Sequence, residues 1–555
     1  MHKPSRRTLL TASVAALGSG LVASCSGNDS HPRSGPHPGA GVLLDNRDFV
    51  PPGPKGYVNP SGPEVRAAER RRGSGSVRMF EFTAAETTVD LDGRHVRTWA
   101  YGEHVPGPLV RVTAGEVLSL TLANRLPVET TLHSHGVRMR CDMDGVPGLT
   151  QDAVPPGADF RYRFTVSHPG TYVLHSHSGL QPDRGLYAPF IVDDPKEPLS
   201  YDKEWIIVLD DWVDGIGGST PDQVLAQLLH GKSGSMAGMT MGMGPGGMPA
   251  GHGGSTAPHP SAPHPSAAAS RKPPAGPSRV LHGSHSRMLH SEAGSVAYPH
   301  YLVNGRTPAH PEVFRARPGE RIRLRIINAG ADTAFRVALG GHTMTITHTD
   351  GYPVEHAETD TLLLGMLERY DVIVTAGDGV FPLVAVAEGK NARGLALLRT
   401  SPKAAAPPLN ARPDELDGRC VPARRLRPHE SVRLPERKPD REIRIRLTGN
   451  MKDYNWGFDH KPYSVSQRHP IRSGERIRLT MINATDMWHP LHLHGHTFAL
   501  TGIDGVGARK DTAIVLPHRK LDVQFDADNP GLWMLHCHNQ YHSESGMMTI
   551  LGYRT

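Results

Sequence analysis

A chain of 555 residues, 37% of them hydrophobic, is too long for one ordinary domain and long enough to bury two to four cores. Its 60 glycines and 49 prolines, set among short Val/Ile/Leu/Thr runs, argue against a helical protein and for an all-β one. The 61 basic and 55 acidic residues give a formal charge of +6 but are interspersed, which reads as solvated surface and argues against a nucleic-acid footprint.

Residues 1–24 read as an export signal. Lys3 and the pair Arg6-Arg7 precede a moderately apolar run from Thr8 to Val22, too short to span a bilayer well. The stretch Ser5-Arg6-Arg7-Thr8-Leu9-Leu10 resembles a twin-arginine signal, and Val22-Ala23-Ser24-Cys25 resembles a bacterial lipobox. Cleavage before Cys25 and a lipid on its thiol are therefore expected, with that lipid as the only membrane anchor of an exported protein. Residues 25–75, rich in Gly, Pro, Ser and Arg, read as a flexible tether.

Three copies of one β unit follow. Each carries a Gly-Glu turn, a strand of alternating apolar residues and an Asn: Gly115-Glu116 to Asn124, Gly319-Glu320 to Asn328, and Gly474-Glu475 to Asn483. They mark domains at 76–200, 201–400 and 441–555, with residues 401–440 as an irregular, Pro- and Arg-rich linker. A low-complexity insert at 231–290 lengthens the second domain. It holds Met236, Met239, Met241, Met243 and Met248 in Gly-rich chain, then His252, His259, His264, His282 and His285 among Pro and Ser. Thioethers are soft ligands that favour Cu(I), so the tract is expected to capture it.

The chemistry lies in four clusters: His133-Ser134-His135, His175-Ser176-His177, His489-Pro490-Leu491-His492-Leu493-His494, and His536-Cys537-His538 followed by His542 and Met547. Residues two apart on a strand point the same way, so each His-x-His pair offers two imidazoles to one side. His536 and His538 then face one way and Cys537 the other, and one strand can serve two metal sites. A thiolate, two imidazoles and a weak thioether form a blue-copper ligand set, which His489, Cys537, His542 and Met547 supply. The other eight histidines suffice for a type 2 copper with two and a type 3 pair with three each. A copper store would need the Met/His tract but not these eight, and a copper nitrite reductase has no use for the complete set. Cys141 and Cys420 either pair in an oxidising compartment or remain two buried thiols.

These clusters resemble those of the multicopper oxidase family (laccases, cuprous oxidases, ferroxidases), and the run from His536 to Met547 fits that family's C-terminal copper motif. The resemblance covers about residues 75–555 and is greatest to actinobacterial, mycobacterial-type copper-resistance oxidases. It implies three cupredoxin-like Greek-key β-sandwich or barrel domains and four copper ions, with the cluster bridging the first and third domains. Type 1 copper would sit on His489, Cys537, His542 and Met547, type 2 on His133 and His492, and the type 3 pair on His135, His175, His177, His494, His536 and His538. Asp144 resembles the family's acid near the cluster, which helps deliver protons to reduced oxygen. Ser543, with Glu544 next, stands where some relatives have a Glu after the last His ligand. The function implied is an oxidase, expected as a monomer, that couples one-electron oxidation of a small-molecule or metal-ion reductant to reduction of dioxygen to water. Cu(I) is the expected donor, with phenols or Fe(II) as the alternative.

Overall fold

The computed structural model describes residues 41–230, 276–502 and 505–555. The three Gly-Glu turns are built alike. Gly115, Gly319 and Gly474 take left-handed backbone, with φ of 97°, 82° and 87°. The following glutamates each accept the amide three residues upstream, at 2.7 Å from Thr113, 2.7 Å from Arg317 and 2.8 Å from Arg472. The strands leaving these turns, Val117–Asn124, Arg321–Asn328 and Arg476–Asn483, end in buried asparagines with one shared role. Each carboxamide donates to two loop carbonyls and accepts the amide two residues on. Asn124 holds Val128, Val154 and Leu126; Asn328 holds Thr333, Leu364 and Gly330; Asn483 holds Met487, Val515 and Thr485. The repeat seen in the sequence is thus a repeat of loop closure, because a buried carboxamide must place all its polar atoms.

Each domain is a sandwich of two sheets. The same parallel pairing recurs at the heart of each: Val77–Leu91 beside Val117–Asn124, Lys203–Trp212 beside Arg321–Asn328, and Arg441–Thr448 beside Arg476–Asn483. A simple meander cannot make such a pair; a Greek-key path does. Alternation puts the core between the sheets, as in Arg441–Thr448, where Ile443, Ile445 and Leu447 are buried and Arg444 and Arg446 exposed. In the first domain Leu118, Leu120 and Leu122 of one sheet pack with Tyr172, Leu174 and Phe190 of the other. The sheets that matter for chemistry are the second of the first domain, in the order Val110–Thr113, Tyr187–Asp193, Gly170–His175, His133–His135, and the second of the third domain, in the order Arg468–Ile471, Met548–Tyr553, Leu532–Cys537, His489–Leu493, Thr512–Val515.

Residues 41–75, read from composition as a tether, are packed instead. Val42–Leu44 pairs with Ala158–Thr165, and the helix Pro63–Arg71 buries Val65 and Ala68. Val58 is buried and donates its amide to the Tyr553 carbonyl at 2.8 Å, while Arg72 donates to Asn529 at 2.8 Å, so this segment straps the first domain to the third. The linker also docks, burying Leu416, Leu426 and Leu434. Residues 276–290, assigned to the insert, lie within the fold, where His285–Ser286 pairs with Ser291–Glu292. Cys141 and Cys420 are free thiols: Cys141 Sγ donates to the Leu532 carbonyl at 3.3 Å, and the backbone at Cys420 pairs in parallel with that at Thr361. The export signal and Cys25 lie outside the described residues. No helix among the described residues is long and apolar enough to cross a membrane.

Candidate metal centre

Strand register decides which side chains meet. His489–Leu493 runs antiparallel to Leu532–Cys537 with Leu491 opposite Cys537 and His492 opposite His536. Directly opposed residues share a face, so Cys537 lies with His489 and Leu491 while His536 lies with His492. In the first domain His133 is opposite His175 and His135 opposite Val173, which puts His133, His135 and His175 on one face. His177, His494 and His538 follow just past their strand ends.

On the Cys537 side, Sγ lies 3.6 Å from His489 Nδ1 and 3.8 Å from His542 Nδ1, and the two nitrogens are 3.2 Å apart. All three residues are fully buried. Their outer nitrogens are held by hydroxyls, His489 Nε2 at 2.9 Å from Thr485 Oγ1 and His542 Nε2 at 3.4 Å from Ser295 Oγ. Met547 is fully buried beside them, its carbonyl accepting from the Cys537 amide at 3.1 Å. Burial pushes the Cys537 thiol well up and the His542 imidazole down to about 3, so without a cation this pocket holds neutral groups. Trp456, which no sequence signal marked, covers the pocket with its ring 4.4 Å from that of His542 and 5.2 Å from that of His489.

On the opposite side, eight histidines from the first and third domains converge. Nitrogens of His135, His175 and His538 lie within 4.8 Å of one another, as do those of His177, His494 and His536, and those of His133, His135 and His492. Rings stack across the domain boundary, His135 on His492 at 3.7 Å and His133 on His494 at 4.0 Å.

The hydrogen bonds around this group fix which nitrogen faces inward. Nδ1–H of His133 donates to the Asp144 carbonyl at 2.7 Å, that of His175 to Ser176 at 2.7 Å, that of His492 to Asp511 at 2.9 Å, and that of His536 to Cys537 at 3.0 Å. The His494 Nδ1–H donates to Asp144 Oδ2 at 2.9 Å, and its Nε2 meets His536 Nε2 at 3.1 Å. His133, His175, His177 and His492 are left with a buried Nε2 that has no hydrogen-bond partner, His135 with such an Nδ1, and His538 with both ring nitrogens bare. Burying that many acceptors unpaired is costly unless they bind something, and imidazoles tied at the outer nitrogen with a bare inner one are metal ligands. Two facing imidazole nitrogens 3.1 Å apart in a buried pocket make the same point. Desolvation and the neighbouring imidazoles keep His175, His494 and His538 far below the usual histidine range, so the lone pairs stay free. The donor set therefore fits copper, as imidazole nitrogen on one side and sulfur with imidazole on the other.

Asp144 is fully buried, and its Oδ1 makes no hydrogen bond, though it lies 3.2 Å from His133 Nδ1. It is held by Gly145, which takes φ of 81° and whose added Cβ would sit 2.1 Å from the Leu132 carbonyl and 3.0 Å from the His133 amide. Gly145→Ala is expected to destabilise the copper-free chain by roughly 1–3 kcal/mol, seen as a lower midpoint in thermal unfolding, and to reduce copper uptake. A cavity of about 30 Å³ reaches the cluster between His175, His177, His536, His538, Ser543 and Glu544, and Glu544 stands exposed on its wall. The five methionines Met236, Met239, Met241, Met243 and Met248, with His252, His259 and His264, lie outside the described residues, and His282 and His285 are exposed.

The chain is similar to known proteins. Three models described as multicopper oxidase match residues 83–197, 281–403 and 436–554, one in each sandwich. The chain is 46% identical over 492 residues to the multicopper oxidase MmcO of Mycobacterium tuberculosis, covering 88% of this chain and 90% of that one. It is 28% identical to a copper resistance protein A homolog of Pseudomonas syringae pv. tomato, over 84% of this chain and 91% of that one. Among solved structures, Fet3p, titled a multicopper oxidase that functions in iron import, superposes with a TM-score of 0.69 at 21% identity over 86% of this chain and 90% of that one, a likeness of fold. Three cupredoxin-like sandwiches, a donor set fitted to copper and these matches place the chain in the multicopper oxidase family, as a copper-dependent oxidoreductase with dioxygen as acceptor.

Proposed function

We propose that the chain binds four copper ions and oxidises Cu(I) to Cu(II) outside the cytoplasmic membrane, protecting the cell from copper. The observation that carries this reading is the register of Leu491 on Cys537 and His492 on His536, which turns one strand's sulfur to a first site and its neighbouring imidazoles to a second. Type 1 copper is assigned to His489, Cys537, His542 and Met547, type 2 to His133 and His492, and the type 3 pair to His135, His175 and His538 with His177, His494 and His536. The three nitrogen triads and the sulfur-centred set support that division. When bound, the coppers supply the one-electron steps and the four-electron store that dioxygen reduction requires.

The chain's own residues do the rest. Cys537 is joined by covalent bonds to His536 and His538, giving electrons a short path between sites. Trp456 and the buried walls exclude water from the sulfur. Asp144 holds His494 through Oδ2, while Oδ1, 3.2 Å from His133 Nδ1, makes no hydrogen bond and is the oxygen that can carry a proton toward the cluster. Cu(I) as donor is supported by the Met/His tract and by relatives named for copper resistance. Relatives named laccase and iron transport oxidase make phenols and Fe(II) the competing donors. Export by residues 1–24, a lipid on Cys25 and a monomeric state complete the proposal.

Oxygen uptake with Cu(I), Fe(II) and a phenol separates the donors. Deleting residues 231–275 is expected to raise KM for Cu(I) roughly 10-fold while leaving phenol oxidation unchanged, because a tethered soft-ligand tract raises the local Cu(I) concentration. Unchanged Cu(I) kinetics in that deletion would remove the tract from the mechanism.

A further inference from the structure

The middle domain carries none of the histidines assigned to copper, yet one of its side chains reaches the cluster. Arg369, fully buried, touches all three domains. Its Nε donates to the Thr171 carbonyl of the first at 3.1 Å, Nη1 to the Leu367 carbonyl of its own domain at 2.7 Å, and the guanidinium fork to both carboxylate oxygens of Asp511 in the third, at 2.8 and 2.5 Å. Asp511 Oδ1 in turn lies 3.0 Å from His135 Nε2. Thr512 Oγ1 donates to Asp511 Oδ1 at 2.8 Å and stands 3.0 Å from the same His135 nitrogen.

Every partner of His135 Nε2 is therefore an acceptor. The hydroxyl proton of Thr512 is spent on Asp511, and a carboxylate facing a guanidinium has none to give. His135 must carry its proton on Nε2, which leaves Nδ1 bare, and that nitrogen is buried without a partner. His133, His175 and His492 are tied the other way round, by Nδ1, and present Nε2. The space for this arrangement is provided by Gly136, with φ of 82°, where a Cβ would lie 2.4 Å from Asp511 Oδ2 and 2.6 Å from Arg369 Nη2.

We propose that Arg369 is a positioning residue for the copper cluster: by clamping Asp511 it selects the Nε2–H tautomer of His135 and turns the Nδ1 lone pair inward. This rests on the copper assignment above for its consequence but not for its test. The middle domain then has a use beyond spacing, since the cluster's geometry depends on all three domains being docked.

The test uses the full chain free of copper, labelled with ¹⁵N-histidine, with His135→Ala to assign the ring signals. Wild type is expected to show His135 with a protonated Nε2 and a bare Nδ1. Arg369→Gln and the milder, isosteric Asp511→Asn are each expected to shift His135 toward the Nδ1–H form. On copper loading, both are expected to hold the type 3 pair, to which His135 is assigned, about 10-fold or more weakly, read as copper ions per chain against free copper, with the sulfur-ligated site's visible band kept as proof of folding. Arg323→Gln is the control for lost buried charge, since Arg323 pairs with Asp371 and Glu197 and makes no hydrogen bond to a cluster histidine; its His135 signals should not move. Unchanged His135 signals in Arg369→Gln, or an Nδ1–H form already in wild type, would overturn the proposal. A wild type with the expected tautomer that fails to take up four coppers would instead count against the functional reading alone.

Discussion

Replacing Cys537 with serine is expected to abolish the intense visible band of the copper-loaded chain and all oxygen uptake with Cu(I), Fe(II) or phenols, while the histidine-bound coppers remain. Cys537 Sγ lies within 4 Å of both His489 and His542 nitrogens, and serine's hard oxygen does not replace it as a ligand for a one-electron site. The fold should survive. Cys537 is one of many fully buried residues in a continuous core, and its exchange for a side chain of similar size costs of order 1–2 kcal/mol from the unpartnered hydroxyl. Metal analysis is expected to give one copper fewer per chain, with the type 2 EPR signal intact. Retained visible absorption in this variant would place the sulfur-ligated copper elsewhere.

The second large effect is expected at Asp144. Asp144→Asn keeps shape and the backbone carbonyl that holds His133, but a carboxamide cannot carry a proton on the oxygen that now makes no hydrogen bond, Oδ1. Turnover should fall roughly 10- to 100-fold with copper content near wild type, and the loss should be similar for every reducing substrate because it lies on the oxygen side. Stopped-flow reduction of the sulfur-ligated site would separate the two halves: its rate should be unchanged, whereas reoxidation by dioxygen should slow. A variant slow in the first step and normal in the second would move Asp144 from proton handling to donor oxidation.

The histidine clusters were legible because their spacing is local. A His two residues from another on a strand shares its face whatever the rest of the chain does, and the triads formed by His135, His175 and His538 and by His177, His494 and His536 follow once the two domains meet. The repeat was legible for the same reason, since Gly-Glu and the distal Asn each satisfy backbone within a few residues. Contacts across 376 positions leave no such trace: nothing near Asp511 or Arg369 announces that they serve His135, and Trp456 is simply one of six tryptophans. Composition misled at residues 41–75, where Gly, Pro and Arg suggested a loose tether. The few apolar residues decide that segment, Val65 and Ala68 three apart on one helical face and Val58 beside the Tyr553 strand, because burying them against a preformed surface outweighs the polar majority.

The sharpest test of two metal sites on the two faces of one strand is the positions of copper in a crystal of the loaded chain, located by anomalous scattering at the copper edge. One isolated ion is expected among Cys537, His489 and His542, and a cluster of three across the strand among the eight histidines of the first and third domains. Copper confined to the histidine side, or fewer than three ions there at full loading, would contradict it.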